Sequence, residues 1–173
     1  MGNFKEEIAK IKAFAFDCDG VLTDGNVMMT ERGELVRTFN AKDGYAMVKA
    51  LKAGYPIAII SGGRGDIMEK RFRTLGLTDI YLGCLYKIES LDDFRYKYGI
   101  ERSEILYMGD DMPDIEAMQN VGLAVAPADA VLEVKAVAHH VSEYGGGKGC
   151  VRDVIEQVLK SQGQWNLISH SSQ

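Results

Sequence analysis

Two aspartates separated by one residue stand where an apolar run of the sequence stops. Asp17 and Asp19 follow the segment 14–16, Phe-Ala-Phe, and Cys18 lies between them. If that segment is a strand, the alternation of side chains directs both carboxylates to the same side. Like charges held close together repel, so either the pKa of one is raised or a cation lies between them. Mg2+, which prefers oxygen ligands, meets that requirement.

Further polar groups follow apolar segments later in the chain. Ligands of open α/β sheets bind at the carboxyl ends of the strands, so we expect these groups to meet the two aspartates there. Any one of them alone has an ordinary explanation, because a serine is often a helix N-cap and a lysine is usually a solvated surface residue. The groups, in chain order, are Ser61 with Gly62, then Lys87, then Asp110 with Asp111 and Asp114.

The order of these groups resembles the four motifs of the haloacid dehalogenase superfamily of phosphohydrolases. The similarity begins with Asp-x-Asp-Gly-x-x-Thr-Asp-Gly at Asp17, ends with Gly-Asp-Asp-x-x-Asp before Ile115, and covers about residues 11–126. It implies that Asp17 attacks phosphorus to form an aspartyl phosphate. It also implies that Asp19 protonates the leaving alcohol and later deprotonates the attacking water.

The same resemblance implies a division of the remaining work around the phosphate. Mg2+ is expected to be held by Asp17, by the backbone carbonyl of Asp19 and by Asp110. Ser61, the backbone N–H of Gly62 and Lys87 are expected to bind phosphate oxygens, with Lys87 also orienting Asp17. Asp111 and Asp114 are expected to support the ligands or to cap a helix rather than to contact the metal.

Apolar strands alternate with amphipathic helices along the chain, which predicts an α/β fold. We expect a Rossmann-like parallel sheet with helices on both faces. Residues 26–39 do not follow a helical pattern and are predicted to form a projecting β-hairpin around Gly33. Only about forty residues separate the first motif from Ser61, which leaves no room for a cap domain. We predict one phosphatase domain over residues 1–160 and a polar C-terminal tail over residues 161–173.

Composition limits the partners of the protein. The chain has 173 residues and a net charge of -5, which gives no electrostatic reason to bind nucleic acid. No apolar run approaches the roughly 18 residues of a membrane span, and the first ten residues do not resemble a signal, so no membrane partner is expected. Three scattered cysteines suit a reducing compartment. We therefore expect a cytoplasmic protein that acts on a small molecule.

Several segments, most of them outside the four motifs, narrow the resemblance to the capless subfamily of 3-deoxy-D-manno-octulosonate 8-phosphate phosphatases. The similarity then runs from about residue 11 to 160. It implies hydrolysis of an eight-carbon 2-keto sugar acid phosphate in lipopolysaccharide precursor synthesis, and a homotetramer in which neighbouring subunits cover the active sites. The segments are residues 22–25, the hairpin, residues 42–45 and residues 146–152.

Substrate recognition leaves alternatives open. A sugar acid favours an arginine fork for its carboxylate, and Arg64 and Arg71, with Asp24, are the candidate substrate-binding residues. Enzymes that resemble this chain but prefer nine-carbon ulosonate 9-phosphates tend to have an acidic residue where this chain has Gly63, whereas the octulosonate enzymes tend to have a basic residue there. Gly63 matches neither pattern, so a nine-carbon substrate is the alternative to the eight-carbon one. A non-catalytic phosphate-binding or assembly module is an alternative of another class, which the intact Asp17 and Asp19 disfavour.

Overall fold

A computed structural model describes residues 3–166, and six parallel strands form its central sheet. The spatial order of the strands is β5-β4-β1-β6-β7-β8, while the remaining two strands form a separate antiparallel pair. The strands are β1 (Ala13–Phe16), β2 (Met28–Met29), β3 (Leu35–Val36), β4 (Ile57–Ile60), β5 (Asp79–Tyr81), β6 (Ile105–Met108), β7 (Leu123–Ala126) and β8 (His140–Val141).

Helices connect the strands of the sheet and cover both of its faces, as right-handed β-α-β crossovers require. Two short 3-10 helices, Arg102–Glu104 and Met112–Asp114, come before β6 and after it. The α-helices are α1 (Phe4–Ile8), α2 (Ala41–Lys52), α3 (Asp66–Thr74), α4 (Lys87–Tyr98), α5 (Ile115–Gln119), α6 (Leu132–Val137) and α7 (Cys150–Ser161).

Strand β1 lies at the centre of the sheet, and this position organises the chemistry. Phe16, its last residue, is in register with Ile59 of β4 on one side and Met108 of β6 on the other. The chain runs from β1 to β4 and β5 in one direction and then returns to β6 on the opposite side. The carboxyl ends of β1 and β6 therefore lie at the point where strand order reverses, which is where open α/β sheets bind ligands.

The two faces of the sheet belong to two apolar cores. Phe14 and Phe16 point to the core that holds α2 and α7, whereas Ala13 and Ala15 point to the core with α4. All four residues of β1 are buried, which explains why the strand is continuously apolar in sequence. The predicted Rossmann-like α/β fold is confirmed.

The predicted hairpin is confirmed as a projection after β1, with strands shorter than its sequence range. Met28 pairs with Val36 and Met29 pairs with Leu35, and all four side chains are exposed. No cap domain interrupts the described residues between β1 and β4, where the chain holds only this hairpin and α2. The carboxyl edge of the sheet is therefore uncovered within one chain.

Several element boundaries differ from the sequence prediction by one or two residues. The apolar pattern of the sequence predicts a strand over residues 80–83 and helices over residues 112–120 and 130–138. In the structure β5 occupies residues 79–81, and α6 is shorter than the predicted helix. The predicted helix over 112–120 begins with a 3-10 turn, since Pro113 has no N–H and the Asp111 side chain accepts from the Met112 backbone N–H at 2.7 Å. Caps and turns thus set boundaries that apolar periodicity does not resolve.

Residues that follow α7 return to the domain. Trp165 is buried, and the Lys49 ammonium lies 4.3 Å from the centre of its ring. The predicted boundary between the domain and the tail at residue 160 stays a prediction, and residues 167–173 of that tail lie outside the described residues. Among the described helices, none has the length and apolarity needed to cross a bilayer.

Candidate active site

A cleft of about 400 Å3 opens at the carboxyl edge of the sheet. Asp17 directly follows β1, Ser61 directly follows β4, and Asp110 comes two residues after β6. The parallel register carries these three strand ends to one edge. The cleft brings together all of the residues expected to do catalysis, hold metal or bind phosphate, and the two expected to support them: Asp17, Asp19, Ser61, Gly62, Lys87 and Asp110, with Asp111 and Asp114.

Lys87, the first residue of α4, points into this cleft and forms ion pairs with two carboxylates. Its Nζ lies 2.9 Å from Oδ1 of Asp17 and 2.7 Å from Oδ1 of Asp114, and all three residues are buried. Burial lowers the pKa of Lys87, but the two carboxylates outweigh it, so that this pKa is raised. Lys87 is therefore a charged part of the site and not a solvated surface lysine.

The Asp17 carboxyl lies in an environment that opposes its ionisation. Burial and then the nearby Asp114 carboxylate raise the pKa of Asp17 well above its usual value, and Lys87 lowers it only in part. Oδ1 of Asp17 also accepts from the Cys18 backbone N–H at 2.7 Å. A second cation beside Asp17 would relieve the remaining repulsion, which comes from Asp114 and Asp110 rather than from Asp19, the neighbour that the sequence spacing indicated.

Asp114 is fully buried, and both of its oxygens are occupied by donors. Oδ1 accepts from Lys87 and from the Tyr107 hydroxyl, each at 2.7 Å, while Oδ2 accepts from the backbone N–H groups of Asp110 and Asp111. A carboxylate bonded in this way is a poor candidate for direct metal ligation. It joins β6, the loop after β6 and α4 into one rigid unit.

Asp110 presents to the site a carboxylate oxygen that has no hydrogen-bond donor among the described residues. This oxygen, Oδ1, is buried. Burial, together with the Asp114 and Asp111 carboxylates, raises the pKa of Asp110 to about 6. Carboxyl oxygens of Asp17, Asp110 and Asp114 lie within 4.8 Å of one another, so the site suits a divalent cation. Because the oxygens of Asp114 are taken, Asp17 and Asp110 are the side chains available to bind it.

Gly20 makes room for the Asp110 carboxylate. A Cβ at this position would lie 1.8 Å from Oδ2 of Asp110, so no other residue fits without moving the carboxylate. The backbone of Gly20 also has a φ of 87°, in the left-handed region that favours glycine. The turn after the two aspartates is thus shaped around a residue ninety positions away in the chain.

The loop 61–65 forms the wall of the cleft at the end of β4. The buried Ser61 hydroxyl accepts from the Gly63 backbone N–H at 3.1 Å, which bends the loop around the cleft. Helix α3 begins only at Asp66, with Gly65 as its N-cap. Ser61 is therefore not the cap of this helix, because residues 62–65 separate it from the helix N-terminus.

Asp19 has a cation of its own. The Arg37 guanidinium, just after β3, donates from Nε to Oδ1 of Asp19 at 2.7 Å and from Nη2 to Oδ2 at 3.1 Å. Each aspartate of the first motif therefore has its own counter-ion, since Lys87 pairs with Asp17 and Arg37 pairs with Asp19.

Asp111 and the three expected substrate-binding residues are placed differently from the groups above. Asp111 is exposed and caps its own 3-10 turn. Arg64 lines a neighbouring groove beside the hairpin, Arg71 lies against Gly44, and the Asp24 carboxylate accepts from Asn26. None of these last three lines the cleft, and their contact with substrate stays a prediction.

Sequence reasoning missed Tyr107 and Arg37. A tyrosine in an otherwise aliphatic buried strand is a usable signal, because a buried hydroxyl requires a hydrogen-bond partner. Arg37 carries no comparable signal, since its pairing with Asp19 depends on where the hairpin returns to the sheet.

Comparison with known proteins places this site among phosphatases. Residues 72–151 match the haloacid dehalogenase-like hydrolase family. The chain is 38% identical over 154 residues to the 3-deoxy-D-manno-octulosonate 8-phosphate phosphatase KdsC of Escherichia coli K12, covering 89% of this chain and 82% of the relative.

Solved structures agree with that similarity. The 3-deoxy-D-manno-octulosonate 8-phosphate phosphatase from Yersinia pestis superimposes with a TM-score of 0.91 at 34% identity, over 92% of this chain and 86% of that one. The Moraxella catarrhalis phosphatase, whose crystal holds a magnesium ion, a phosphate ion and a KDO molecule, has a TM-score of 0.90 at 31% identity, over 94% of this chain and 93% of that one.

Proposed function

Because this chain belongs to the 3-deoxy-D-manno-octulosonate 8-phosphate phosphatase family of haloacid dehalogenase-like hydrolases, we propose that it hydrolyses the phosphate monoester of that eight-carbon sugar acid. The products are 3-deoxy-D-manno-octulosonate and inorganic phosphate, and the place of the reaction is lipopolysaccharide precursor synthesis. The predicted resemblance to this family is confirmed, and with it the prediction of a phosphatase.

One observation carries the mechanistic part of the proposal. The buried carboxylate of Asp17 lies 2.9 Å from the Lys87 ammonium and close to Asp110, whose Oδ1 has no hydrogen-bond donor among the described residues. A nucleophile, a fixed positive charge and a set of oxygen ligands for a cation are the parts that phosphoryl transfer requires. This grouping supports hydrolysis more directly than phosphate binding alone, which needs no carboxylate at the centre of the site.

Mg2+ is the cofactor, and Asp17, Asp110 and the backbone carbonyl of Asp19 are the groups proposed to hold it. When bound, it neutralises charge on the phosphate and the attacking carboxylate. In the first step, a carboxylate oxygen of Asp17 bonds to phosphorus while the ester bond breaks, and Asp19 gives a proton to the departing alcohol. In the second step, Asp19 takes a proton from water, which attacks phosphorus and releases Asp17.

The other residues of the cleft bind the phosphate or hold the groups that react. The Ser61 hydroxyl, the Gly62 N–H and the Lys87 ammonium are the proposed donors to the phosphate oxygens. Asp114 keeps Lys87 in place through the 2.7 Å contact, and so acts on the reaction only through another residue. Asp111, which is exposed, stabilises the turn that presents Asp110.

The proposal extends to the contacts with the sugar acid, to a homotetrameric assembly and to a cytoplasmic location. Arg64, Arg71 and Asp24 are the candidate contacts to the sugar acid, although they do not line the cleft within one chain. A homotetramer in which a neighbour covers the cleft would explain the exposed apolar hairpin residues Met28 and Met29. Three cysteines without disulfides among the described residues suit the cytoplasm.

The proposal is tested by phosphate release from three kinds of ester. We expect Mg2+-dependent hydrolysis of 3-deoxy-D-manno-octulosonate 8-phosphate, lost in EDTA, with slower turnover of a nine-carbon ulosonate 9-phosphate and of hexose phosphates. Asp17→Asn, which keeps the shape of the side chain, is the inactive control. Preference for the nine-carbon ester would overturn the substrate, and activity in Asp17→Asn would overturn the nucleophile. Failure to hydrolyse any ester would contradict the enzymatic function.

A further inference from the structure

The hairpin reaches the cleft through one buried side chain. Arg37 follows β3, whose own residues are exposed, yet the Arg37 side chain is only 7% exposed. Its partner Asp19 is 31% exposed and lines the cleft. The guanidinium is therefore largely buried, while the carboxylate that it holds stays partly open to the cleft.

The geometry of this pair is a fork. Two N–H groups of Arg37 meet the two oxygens of Asp19 at 2.7 and 3.1 Å, so the contact fixes the plane of the carboxyl as well as its distance. Among the described residues, Arg37 is the only cation paired with Asp19. The Thr23 hydroxyl also donates to Oδ1 of Asp19, but at 3.5 Å, so the two shorter contacts from the guanidinium are the main restraint on the orientation of that carboxyl.

Gly63 leaves space for this arrangement. A Cβ built on Gly63 would lie 3.3 Å from Nη2 of Arg37, 3.3 Å from Oγ of Ser61 and 3.4 Å from Oδ2 of Asp19. The guanidinium, the proposed phosphate ligand and the Asp19 carboxyl therefore surround the same Cα atom.

We infer that Arg37 is a positioning residue for proton transfer by Asp19, an inference that rests on the proposed function. Asp19 becomes negative as its proton passes to the ester oxygen and the bond from that oxygen to phosphorus breaks. The fork stabilises this developing carboxylate and keeps it directed at the leaving oxygen. In the second step the same carboxylate takes one proton from water, which restores the starting state.

This role predicts a dependence on the leaving group. An alkoxide leaving from a sugar phosphate needs a proton, whereas para-nitrophenolate leaves readily without one. General acid catalysis is typically worth about 10²–10⁴-fold. Because kcat/KM reports only steps up to the first irreversible one, it isolates transfer to Asp17 from the later hydrolysis of the aspartyl phosphate.

The experiment compares kcat/KM for 3-deoxy-D-manno-octulosonate 8-phosphate and for para-nitrophenyl phosphate, both with Mg2+. Arg37→Met should lower the value for the sugar ester by about 100-fold or more, and the value for the aryl ester by less than about fivefold. Arg37→Lys, which keeps the charge but not the fork, should recover part of the difference. Arg32→Met, an exposed arginine of the same hairpin, should change neither value.

Three results would overturn the inference. An equal loss for both esters would mean that Arg37 binds phosphate or merely supports the fold, and no loss would mean that Asp19 is oriented without it. If Arg37→Met does not fold, as judged by thermal unfolding, the ratio of the two kcat/KM values in Arg37→Lys decides, and an unchanged ratio contradicts the inference. Failure of the wild-type protein on both esters would instead refute the proposed function.

Discussion

The Lys87 ammonium lies 2.9 Å from Oδ1 of Asp17, although Lys87 opens a helix seventy residues later in the chain. Both side chains are buried, so the pair has few waters to replace a missing partner. The same ammonium also contacts Asp114. One lysine therefore supports both the reaction and the fold, and its removal should be visible in two independent measurements.

Lys87→Met should destabilise the metal-free protein by about 3–5 kcal/mol, because it leaves buried carboxylates without their cation. Urea unfolding at neutral pH measures this loss, and phosphate release should fall to background. Lys10→Met is the control, since its ion pair with Glu7 is exposed and such pairs contribute about 0–1 kcal/mol. Equal stability of the two variants would contradict a structural role for Lys87.

Tyr107→Phe should lower the free energy of unfolding by about 1.5–3 kcal/mol, since it removes a hydrogen bond to the charged Asp114. Turnover should fall less than in Lys87→Met, because Lys87 still holds Asp114. Tyr81→Phe removes a matched hydroxyl that bonds Asp93 at an exposed site, and it should cost less. A larger loss in Tyr81→Phe would show that burial of the Tyr107 bond contributes nothing.

Mg2+ affinity should fall as the pH drops through about 6, because the pKa of Asp110 is raised to that value and the metal competes with its proton. One displaced proton corresponds to about a tenfold loss per pH unit below 6. Calorimetric titration with Mg2+ at pH 5, 6 and 7.5 measures the trend. Asp110→Asn should lose binding, whereas Asp111→Asn, at an exposed position, should retain it. Equal affinity at pH 5 and 7.5 would contradict the assignment of Asp110.

The metal-free protein should respond to pH in the opposite sense. Since the folded-state pKa of Asp110 lies above its usual value of 3.8, folding favours the protonated form. Its contribution to stability is present at low pH and is lost as the pH rises through about 6. Thermal unfolding with and without Mg2+ should therefore show a stabilisation by metal that is larger at pH 7.5 than at pH 5.

Gly20→Ala should reduce Mg2+ affinity at least tenfold, as its Cβ would lie 1.8 Å from Oδ2 of Asp110 and displace that carboxylate. Gly54→Ala is the matched control, because Gly54 also has a positive φ, of 91°, but has no atom within 4 Å of an added Cβ. Both variants should lose about 1–2 kcal/mol of stability from backbone strain. Only Gly20→Ala should alter metal binding, as measured by calorimetry.

The central part of the site could be predicted from the sequence because each group follows a recognisable strand. Asp17, Ser61 and Asp110 come directly or nearly directly after runs of buried aliphatic and aromatic residues, and parallel strands place their carboxyl ends at one edge. The order of the motifs then identified the family. The role of each side chain stays a prediction, while the geometry shows which of them share the cleft.

The remaining features depend on contacts that no local pattern encodes. The fork from Arg37 to Asp19 requires the chain to come back to the end of β1 after the hairpin. The two residues are eighteen positions apart, with a turn and two strands between them. The four donors to Asp114, one of which is the Tyr107 hydroxyl, likewise come from α4, from β6 and from the loop after β6. Short edges such as β8, with two residues, are too brief for periodicity to define their bounds.

The close packing beneath the metal site limits how proteins with this architecture can diverge. A Cβ at Gly109 would lie 2.3 Å from Cβ of Asp114, and Gly20 is blocked in the same way, so the floor of the cleft tolerates no larger residue. At the mouth, by contrast, Leu85 is 89% exposed. Mutation can therefore alter which phosphate ester is accepted while the chemistry beneath is inherited unchanged.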